Sequence, residues 1–507
     1  MNTTLRRLST VVMAMFLVLM VSTTWIQYVQ AGDLNDDGRN VRKIYRDLGA
    51  ARGPIVVGED NAVVSVPVDD NYGRQRVYAD GDENIAKMYA PITGFFAVNG
   101  NTAGLERSAN DYLSGRADSL WLDQLQNLIT GQEAAGSSVD TTIDPKVQKA
   151  AWDALGDYTG AAVALDPKTG AILAMVSKPS YDPNSLAVHS GGEVNETYQN
   201  LANSKPQINT SDGSEQYSPY SVLNNRTIEA TYPPGSTFKI FTSAAAIESG
   251  EFTPDSEVPA PNGYELTNTS TPIANFGGYD CVAGQTEITL ADALRTSCNS
   301  SYLWLGGEVG ADGMRDMFED FRFDEGLEVP MSTVAGSYPG LGNDDPDSID
   351  RIELSGMGQG DVRLTPLQVA MLSATVANGG TEMEPYLIES IRDSDLEVVE
   401  KTNPSTLANP ISSSTADALR EMMIGVVEDG SGTNAQIPNV SVAGKTGTAE
   451  NGNNRQPTLW FTGFAPADDP QVAVAVVLEN AGSSTEDTAS GTLAAPVAKA
   501  ILEAAIN

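Results

Sequence analysis

Three short runs carry side chains that could perform acyl chemistry if brought together. The first is Tyr232-Pro233-Pro234-Gly235-Ser236-Thr237-Phe238-Lys239, where a hydroxyl and an amine stand three residues apart. Pro-Pro-Gly halts whatever precedes it, and residues 236–247 have helical composition up to Gly250. Ser236 is thus expected at a helix amino terminus, where free N–H groups and the dipole favour developing negative charge. Lys239 falls on the same helix face, within reach of the hydroxyl. A lysine serves as a base only when its pKa falls, through burial or a neighbouring cation. Ser-x-x-Lys arises about once or twice by chance in a chain of this length. It occurs once here, and an N-cap serine beside a solvated lysine would look the same.

Two further runs supply partners. Ser297-Cys298-Asn299 lies between a helical stretch at 290–296 and another beginning near Ser300. A hydroxyl can relay a proton, and a carboxamide can hold a peptide amide through both donor and acceptor. Ser-x-Asn also occurs at Ser108-Ala109-Asn110, so the pattern means little by itself. Lys445-Thr446-Gly447-Thr448 ends an apolar strand at 440–443 and is followed by strands at 459–464 and 472–478. On an edge strand the lysine and threonine hydroxyls would face a substrate carboxylate, and the glycine would let a ligand backbone approach. Lys168-Thr169-Gly170 repeats three of these residues. It follows Asp166-Pro167 and joins apolar strands at 161–165 and 171–176, as a hairpin turn does, so Lys168 reads as structural.

The elements that must position these side chains follow from sequence punctuation. Residues 33–140 mix short apolar segments with many Gly, Asn and Asp, and read as short strands and turns with one helix-like stretch at 117–128. No catalytic constellation falls there. A polar segment at 131–138 reads as a linker, and a second domain is expected from about Thr141, where Asp144-Pro145 opens a helical pattern through Leu155. The polar region 179–229 reads as a surface excursion or a binding loop. Residues 365–378 read as a core helix in which Met371 needs no chemical role, and Gln359 and Thr365 read as core or turn residues.

Composition narrows the function. Lys+Arg 30 against Asp+Glu 67 gives a formal charge of −37, which repels phosphate backbones, so nucleic acid is not an expected partner. An apolar content of 41% suffices for a large core in a chain of 507 residues, which is long enough for two domains. Arg6 and Arg7 precede an apolar run from Val11 to Val29, close to the roughly 20 residues that span a bilayer. Val29-Gln30-Ala31 would pass as a signal-peptide cleavage site, but the length of the run favours an uncleaved anchor. Basic residues before it and Asp33, Asp36 and Asp37 after it place the amino terminus in the cytoplasm and the main body outside. Export makes Cys281 and Cys298 a candidate disulfide, with two unpaired buried thiols as the alternative. His189, the sole histidine, reads as a surface residue; without a second, neither a zinc site nor a Ser-His-Asp triad has support.

Ser-x-x-Lys, Ser-x-Asn and Lys-Thr-Gly in this order resemble the signature of penicillin-binding proteins and serine β-lactamases. The likeness runs over residues 141–507. Residues 161–166 with 179–184 are similar to the start of a transpeptidase domain, and Gly358-Gln359-Gly360, Thr365-Pro366-Leu367-Gln368 and Ala377-Asn378-Gly379-Gly380 resemble a further stretch of it. Arg52-Gly53, Gly104-Leu105-Glu106 and the anchor are similar to the amino-terminal part of class B enzymes. The resemblance implies an α+β fold, an antiparallel sheet sandwiched by helices with an all-helical subdomain at 141–507. Before it would come a cytoplasmic tail at 1–10, a single transmembrane anchor at 11–31 and a smaller mixed domain at 32–140, non-catalytic and dimerisation- or pedestal-like.

The implied activity is that of a D,D-transpeptidase. Ser236 would attack a D-alanyl-D-alanine stem peptide, D-alanine would leave, and an amine of a neighbouring stem peptide would take the acyl group as a cross-link. β-Lactams would acylate the same serine. Lys239 would be the base, Ser297 a proton relay and Asn299 a clamp for the peptide amide. Lys445, Thr446, Gly447 and Thr448 would bind the substrate through its carboxylate, and Lys445 could also depress the pKa of Lys239. Backbone N–H groups of Ser236 and Thr448 would form the oxyanion hole. No cofactor is implied. The implied partners are stem peptides, β-lactams and membrane proteins of wall synthesis or division. A class A β-lactamase would need a deacylating glutamate with asparagine four residues on, and none lies between Ser297 and Lys445. A β-lactam sensor would need a cytoplasmic part larger than the few residues before the anchor, and a non-catalytic scaffold would make the three ordered motifs a coincidence. A bifunctional enzyme would need a glycosyltransferase longer than 33–140. A D,D-carboxypeptidase shares every catalytic residue and differs only in using water as acceptor.

Overall fold

The computed structural model describes residues 2–30, 51–58, 62–70, 73–117, 135–208, 210, 212–339, 348–452, 454–481 and 489–506. The first apolar run forms a helix, Asn2–Thr24, continued by Trp25–Val29. Its side chains are exposed, and the 25-residue span Leu5–Val29 is long and apolar enough to cross a membrane. At 1.5 Å rise per residue it reaches about 37 Å, against a hydrocarbon core of about 30 Å.

A five-stranded antiparallel sheet forms the centre of the larger part, in the order Ala443–Ala449, Thr458–Ala465, Val472–Leu478, Gly160–Leu165, Ile172–Lys178. Helices Pro145–Leu155 and Ala489–Ile506 cover one face, and Pro366–Ala377 covers the other. With both faces buried, the strands lose polar alternation and read as continuous apolar runs. Along Val472–Leu478 the side chains divide by the two-residue period. Val474, Val476 and Leu478 pack with Leu155 and Leu502, while Ala473, Ala475 and Val477 pack with Val369 and Leu372. Helices Lys239–Glu248, Leu290–Arg295, Asn299–Asp320 and Ser413–Asp429 form the all-helical part beside the Ala443–Ala449 edge.

A second, six-stranded sheet runs in the order Val398–Lys401, Ile388–Arg392, Ser138–Thr141, Ile55–Val57, Ala62–Asp70, Gly73–Tyr78. It draws on sequence from both sides of residue 141, and Asp140 accepts hydrogen bonds from Ser390 Oγ at 2.9 Å and Arg392 Nε at 2.5 Å. Under this sheet Glu106 accepts from Arg76 Nε at 2.5 Å, Arg52 Nη2 at 2.9 Å and Ser65 Oγ at 2.7 Å, all four residues being buried.

Three expectations change. Residues 135–138 of the expected linker are packed, not free: Gly136 donates its N–H to Ala51 O at 2.7 Å, and Ser137 and Ser138 are buried. The region 179–229, read as a surface excursion or a binding loop, is packed onto the fold and carries a helix, Gly191–Asn203. Its sparse apolar residues Tyr181, Leu186 and Val194 bury against Phe95 and Ala97, and Asn184 bonds the backbone of Tyr78. His189, expected at the surface, is half-buried beside Arg76. The helix-like stretch at 117–128 lies, beyond Ala117, outside the described residues. Lys168-Thr169-Gly170 is the hairpin turn, with Thr169 bonded to Asp166 and Lys168 paired with exposed Asp469.

Candidate active site

The serine turn is held from three sides. Gly235 takes a positive φ of 54° and donates its N–H to Gly358 O at 2.9 Å. A side chain at Gly358 would meet Gly235 O at 2.1 Å, so the two backbones approach as only glycine permits. Thr237 Oγ1 donates to Pro234 O at 2.7 Å, and Trp460 Nε1 to Pro233 O at 2.9 Å. The run from Ser236 therefore begins as a 3-10 turn, Gly235–Phe238, and becomes α-helical at Lys239. Phe238 and Phe241, stacked at 4.4 Å, anchor it in an aromatic cluster with Phe318 and Tyr338.

Ser236 is half-buried and makes no side-chain hydrogen bond to a described residue. Lys239 is fully buried, and its amine points to the second motif instead of the serine. Nζ donates to Ser297 O at 2.7 Å and Asn299 Oδ1 at 2.8 Å, with Ser297 Oγ at 3.4 Å. A buried amine takes the strongest acceptors in reach, and two carbonyl oxygens outrank a hydroxyl. Lys445, also fully buried, donates to Ser297 Oγ at 2.9 Å and to Thr446 O at 3.0 Å. Burial brings the Lys445 amine down to about 7. Burial first, then the charge of Lys445, holds Lys239 well below the usual lysine range. A neutral Lys239 uses both N–H groups on the two carbonyls and keeps its lone pair to accept a proton.

Ser297 sits at the crossing of these bonds in a left-handed conformation, φ 59°, between Leu290–Arg295 and Asn299–Asp320. For a residue other than glycine this costs about 1–2 kcal/mol. It is held there by Ser297 N–H to Leu294 O at 3.1 Å and Cys298 N–H to Ala293 O at 2.9 Å. The adjoining Cys298 is joined by a disulfide to Cys281, with the Cα atoms 5.4 Å apart.

Lys445-Thr446-Gly447-Thr448 lies within the edge strand Ala443–Ala449, which starts later and runs further than the apolar run at 440–443 that the sequence marked. The tetrapeptide forms a full ladder with Thr458–Ala465, which its composition does not advertise. Gly447 answers to the protein's own backbone: a side chain there would stand 2.9 Å from Pro234 O and from Thr237 Cγ2. Its missing side chain lets the strand lie against the serine turn, a closer constraint than the ligand approach expected for it. Thr446 Oγ1 and Ser431 Oγ share a hydrogen bond of 2.6 Å, and Thr448 Oγ1 donates to Ser490 Oγ at 3.2 Å.

These residues line one cleft of about 590 Å³, which brings together Ser236, Ser297, Asn299, Thr446 and Thr448. Lys239 and Lys445 lie beneath its floor, bonded to Ser297. Gln359, read from sequence as core or turn, lines the cleft, whereas Thr365 caps the helix Pro366–Ala377. Ser431, Glu450 and Ser490 also line it. No spacing pattern marks them, because Ser431 comes from the turn after helix Ser413–Asp429, Glu450 from just past the end of strand Ala443–Ala449 and Ser490 from the first turn of helix Ala489–Ile506.

Comparison with known proteins identifies the family. Residues 160–503 match the penicillin binding protein transpeptidase domain, and residues 52–139 match the penicillin binding protein A dimerisation domain. The chain belongs to the penicillin-binding protein transpeptidase family. It is 37% identical to the peptidoglycan D,D-transpeptidase PbpA of Mycolicibacterium smegmatis, over 100% of this chain and 99% of the relative. It is 38% identical, with the same coverage, to PbpA of Mycobacterium tuberculosis. The ceftriaxone acyl-enzyme structure of penicillin-binding protein A from M. tuberculosis superposes with a TM-score of 0.81 at 35% identity, covering 92% of this chain and 100% of that one.

Proposed function

We propose that this protein is a peptidoglycan D,D-transpeptidase that works through an acyl-enzyme on Ser236. The observation that carries the reading is the buried amine of Lys239, bonded to Ser297 and Asn299 and depressed by burial and by Lys445, one turn from a serine on the cleft. Lys239 takes the proton of Ser236 Oγ as that oxygen bonds to the penultimate D-alanyl carbonyl carbon. The backbone N–H groups of Ser236 and Thr448 hold the resulting oxyanion. The C–N bond then breaks, and the proton passes by way of Ser297 to the nitrogen of the departing D-alanine. Asn299 orients the peptide amide, while Lys445, Thr446 and Thr448 hold the terminal carboxylate and Gly447 seats the strand. An amine from a neighbouring stem peptide attacks the ester, gives up its proton by the same route, and releases Ser236. A β-lactam reacts at the same carbonyl position but keeps its leaving nitrogen tethered.

Residues 32–140 serve as a non-catalytic, pedestal-like domain, and 141–507 as the catalytic one. Arg6 and Arg7 ahead of the apolar helix, and acidic residues after it, favour an amino terminus in the cytoplasm and a cleft outside the membrane. Membrane proteins of wall synthesis or division are the partners this placement suits. The test is labelling with a fluorescent penicillin, with Ser236→Ala as comparison. Unlabelled wild type, or a labelled S236A protein, overturns the reading. A paired donor and acceptor peptide then separates cross-linking from carboxypeptidase hydrolysis.

A further inference from the structure

The strand Ala443–Ala449 is the edge of its sheet, paired with Thr458–Ala465 on one side and, among the described residues, with no strand on the side facing the cleft. Such an edge accepts an extended peptide as an added strand. The transpeptidase reading, on which this inference rests, sets the peptide's direction. With the leaving carboxylate at Thr446 and the scissile carbonyl at the N–H of Thr448, the acyl part of the donor runs antiparallel to the strand, toward Glu450. Both strands rise about 3.3 Å per residue, so the residue upstream of the scissile bond comes alongside Ala449 and Glu450.

Thr446, Thr448 and Glu450 follow the two-residue period, and all three line the cleft. Glu450 is exposed, and its carboxylate has no hydrogen bond or ion pair to a described residue. Among the described residues lining the cleft it is the single charged one. The donor's chemistry supplies the counterpart. A cross-link joins the carboxyl end of one stem peptide to an amine of another, so a stem peptide able to serve in either role still carries an ammonium group when it acts as donor before its own amine is used. We propose that Glu450 is a specificity-determining residue that binds the side-chain ammonium of the donor stem peptide, upstream of the scissile bond.

The experiment compares two peptides ending in D-alanyl-D-alanine, one with its side-chain amine free and one with it acetylated. The readout is the single-turnover burst of D-alanine from excess full-length enzyme, which reports acylation by the donor before any amine resolves the acyl-enzyme. An exposed ion pair is worth about a fivefold preference or less, so wild type is expected to favour the free amine about threefold to fivefold at low salt. Added salt should narrow that ratio. The ratio should approach one in E450Q, fall below one in E450K, and keep its sign in E450D. A wild-type ratio of one, or a ratio unchanged in E450Q, overturns the proposal. So does a preference that appears only in acyl transfer to an added amine, which would put the acceptor's ammonium at Glu450. Should the variants fail to fold, the wild-type ratio and its salt dependence still decide. Wild type labelled by penicillin but indifferent to acetylation sinks the Glu450 inference alone; unlabelled wild type sinks the transpeptidase reading as well.

Discussion

Replacing Lys445 with methionine removes a buried charge while keeping most of the side-chain volume. Lys445 and Lys239 reach the same hydroxyl, Ser297 Oγ, at 2.9 Å and 3.4 Å, so their amines lie within about 6 Å. At an effective dielectric of about 20, two unit charges about 6 Å apart repel by about 2.8 kcal/mol. Lys445, brought to about 7 by burial, is charged on the acid side of neutrality, where Lys239 must shed its proton to act as base. In K445M burial still depresses Lys239, but the cationic contribution is gone. Lys239 then keeps its proton to higher pH, and the acid limb of the acylation rate moves in the alkaline direction. The plateau should also fall by about tenfold to a hundredfold, because the hydrogen bond proposed from Lys445 to the ligand carboxylate is lost. The assay is the second-order rate constant for a fluorescent penicillin, measured across pH for both proteins. An acid limb that stays in place refutes the coupling of the two lysines; an unchanged plateau refutes the carboxylate anchor. Stability supplies a second signature. A lysine with a depressed pKa leaves the unfolded chain binding more protons between about 7 and the ordinary lysine value of about 10.4. Wild-type stability therefore gains a rising contribution with pH across that window, and K445M lacks it.

Glu106→Gln leaves the buried guanidinium groups of Arg52 and Arg76 without their shared countercharge, so chemical denaturation should show a loss of about 3–5 kcal/mol. Burial alone would raise the Glu106 carboxyl, but Arg76 and Arg52 outweigh it and hold it low. Its contribution is thus complete above the ordinary carboxylate range and is lost as pH falls through the depressed value; a pH-independent difference between E106Q and wild type through that range would contradict this. Gly447→Ala sets a methyl 2.9 Å from Pro234 O and Thr237 Cγ2, and the displacement of strand from serine turn should slow penicillin acylation by about tenfold or more. A rate within about twofold of wild type would show that the contact yields without cost to geometry. Reducing the Cys281–Cys298 bridge, which links residues 17 apart, should lower stability by about 3 kcal/mol on the chain-entropy account. It should also slow acylation, because Cys298 lies between Ser297 and Asn299; equal rates with and without reductant would separate the bridge from the site.

By itself the sequence determined the parts whose signals are local. The apolar run after Arg6 and Arg7, the hairpin around Asp166-Pro167-Lys168-Thr169-Gly170 and the three ordered motifs are each written in neighbouring residues, and the α+β class followed from the family resemblance that those motifs carry. Even the hairpin decoy could be set aside, because a turn needs only its own few residues. Tertiary structure decided what depends on distant segments. The hairpin 388–401 completes a sheet begun at Ile55–Val57, since strand pairing is set by backbone partners that composition does not name. The polar stretch 179–229 docks because its scattered apolar side chains, Tyr181, Leu186 and Val194 foremost, gather against Phe95 and Ala97. Ser431, Glu450 and Ser490 enter the cleft from separate places in the chain. Lys239 and Lys445 were legible as amines, but their pKa values were not: burial and the proximity of one charge to the other exist only after residues 239, 297 and 445 have been folded onto a single hydroxyl.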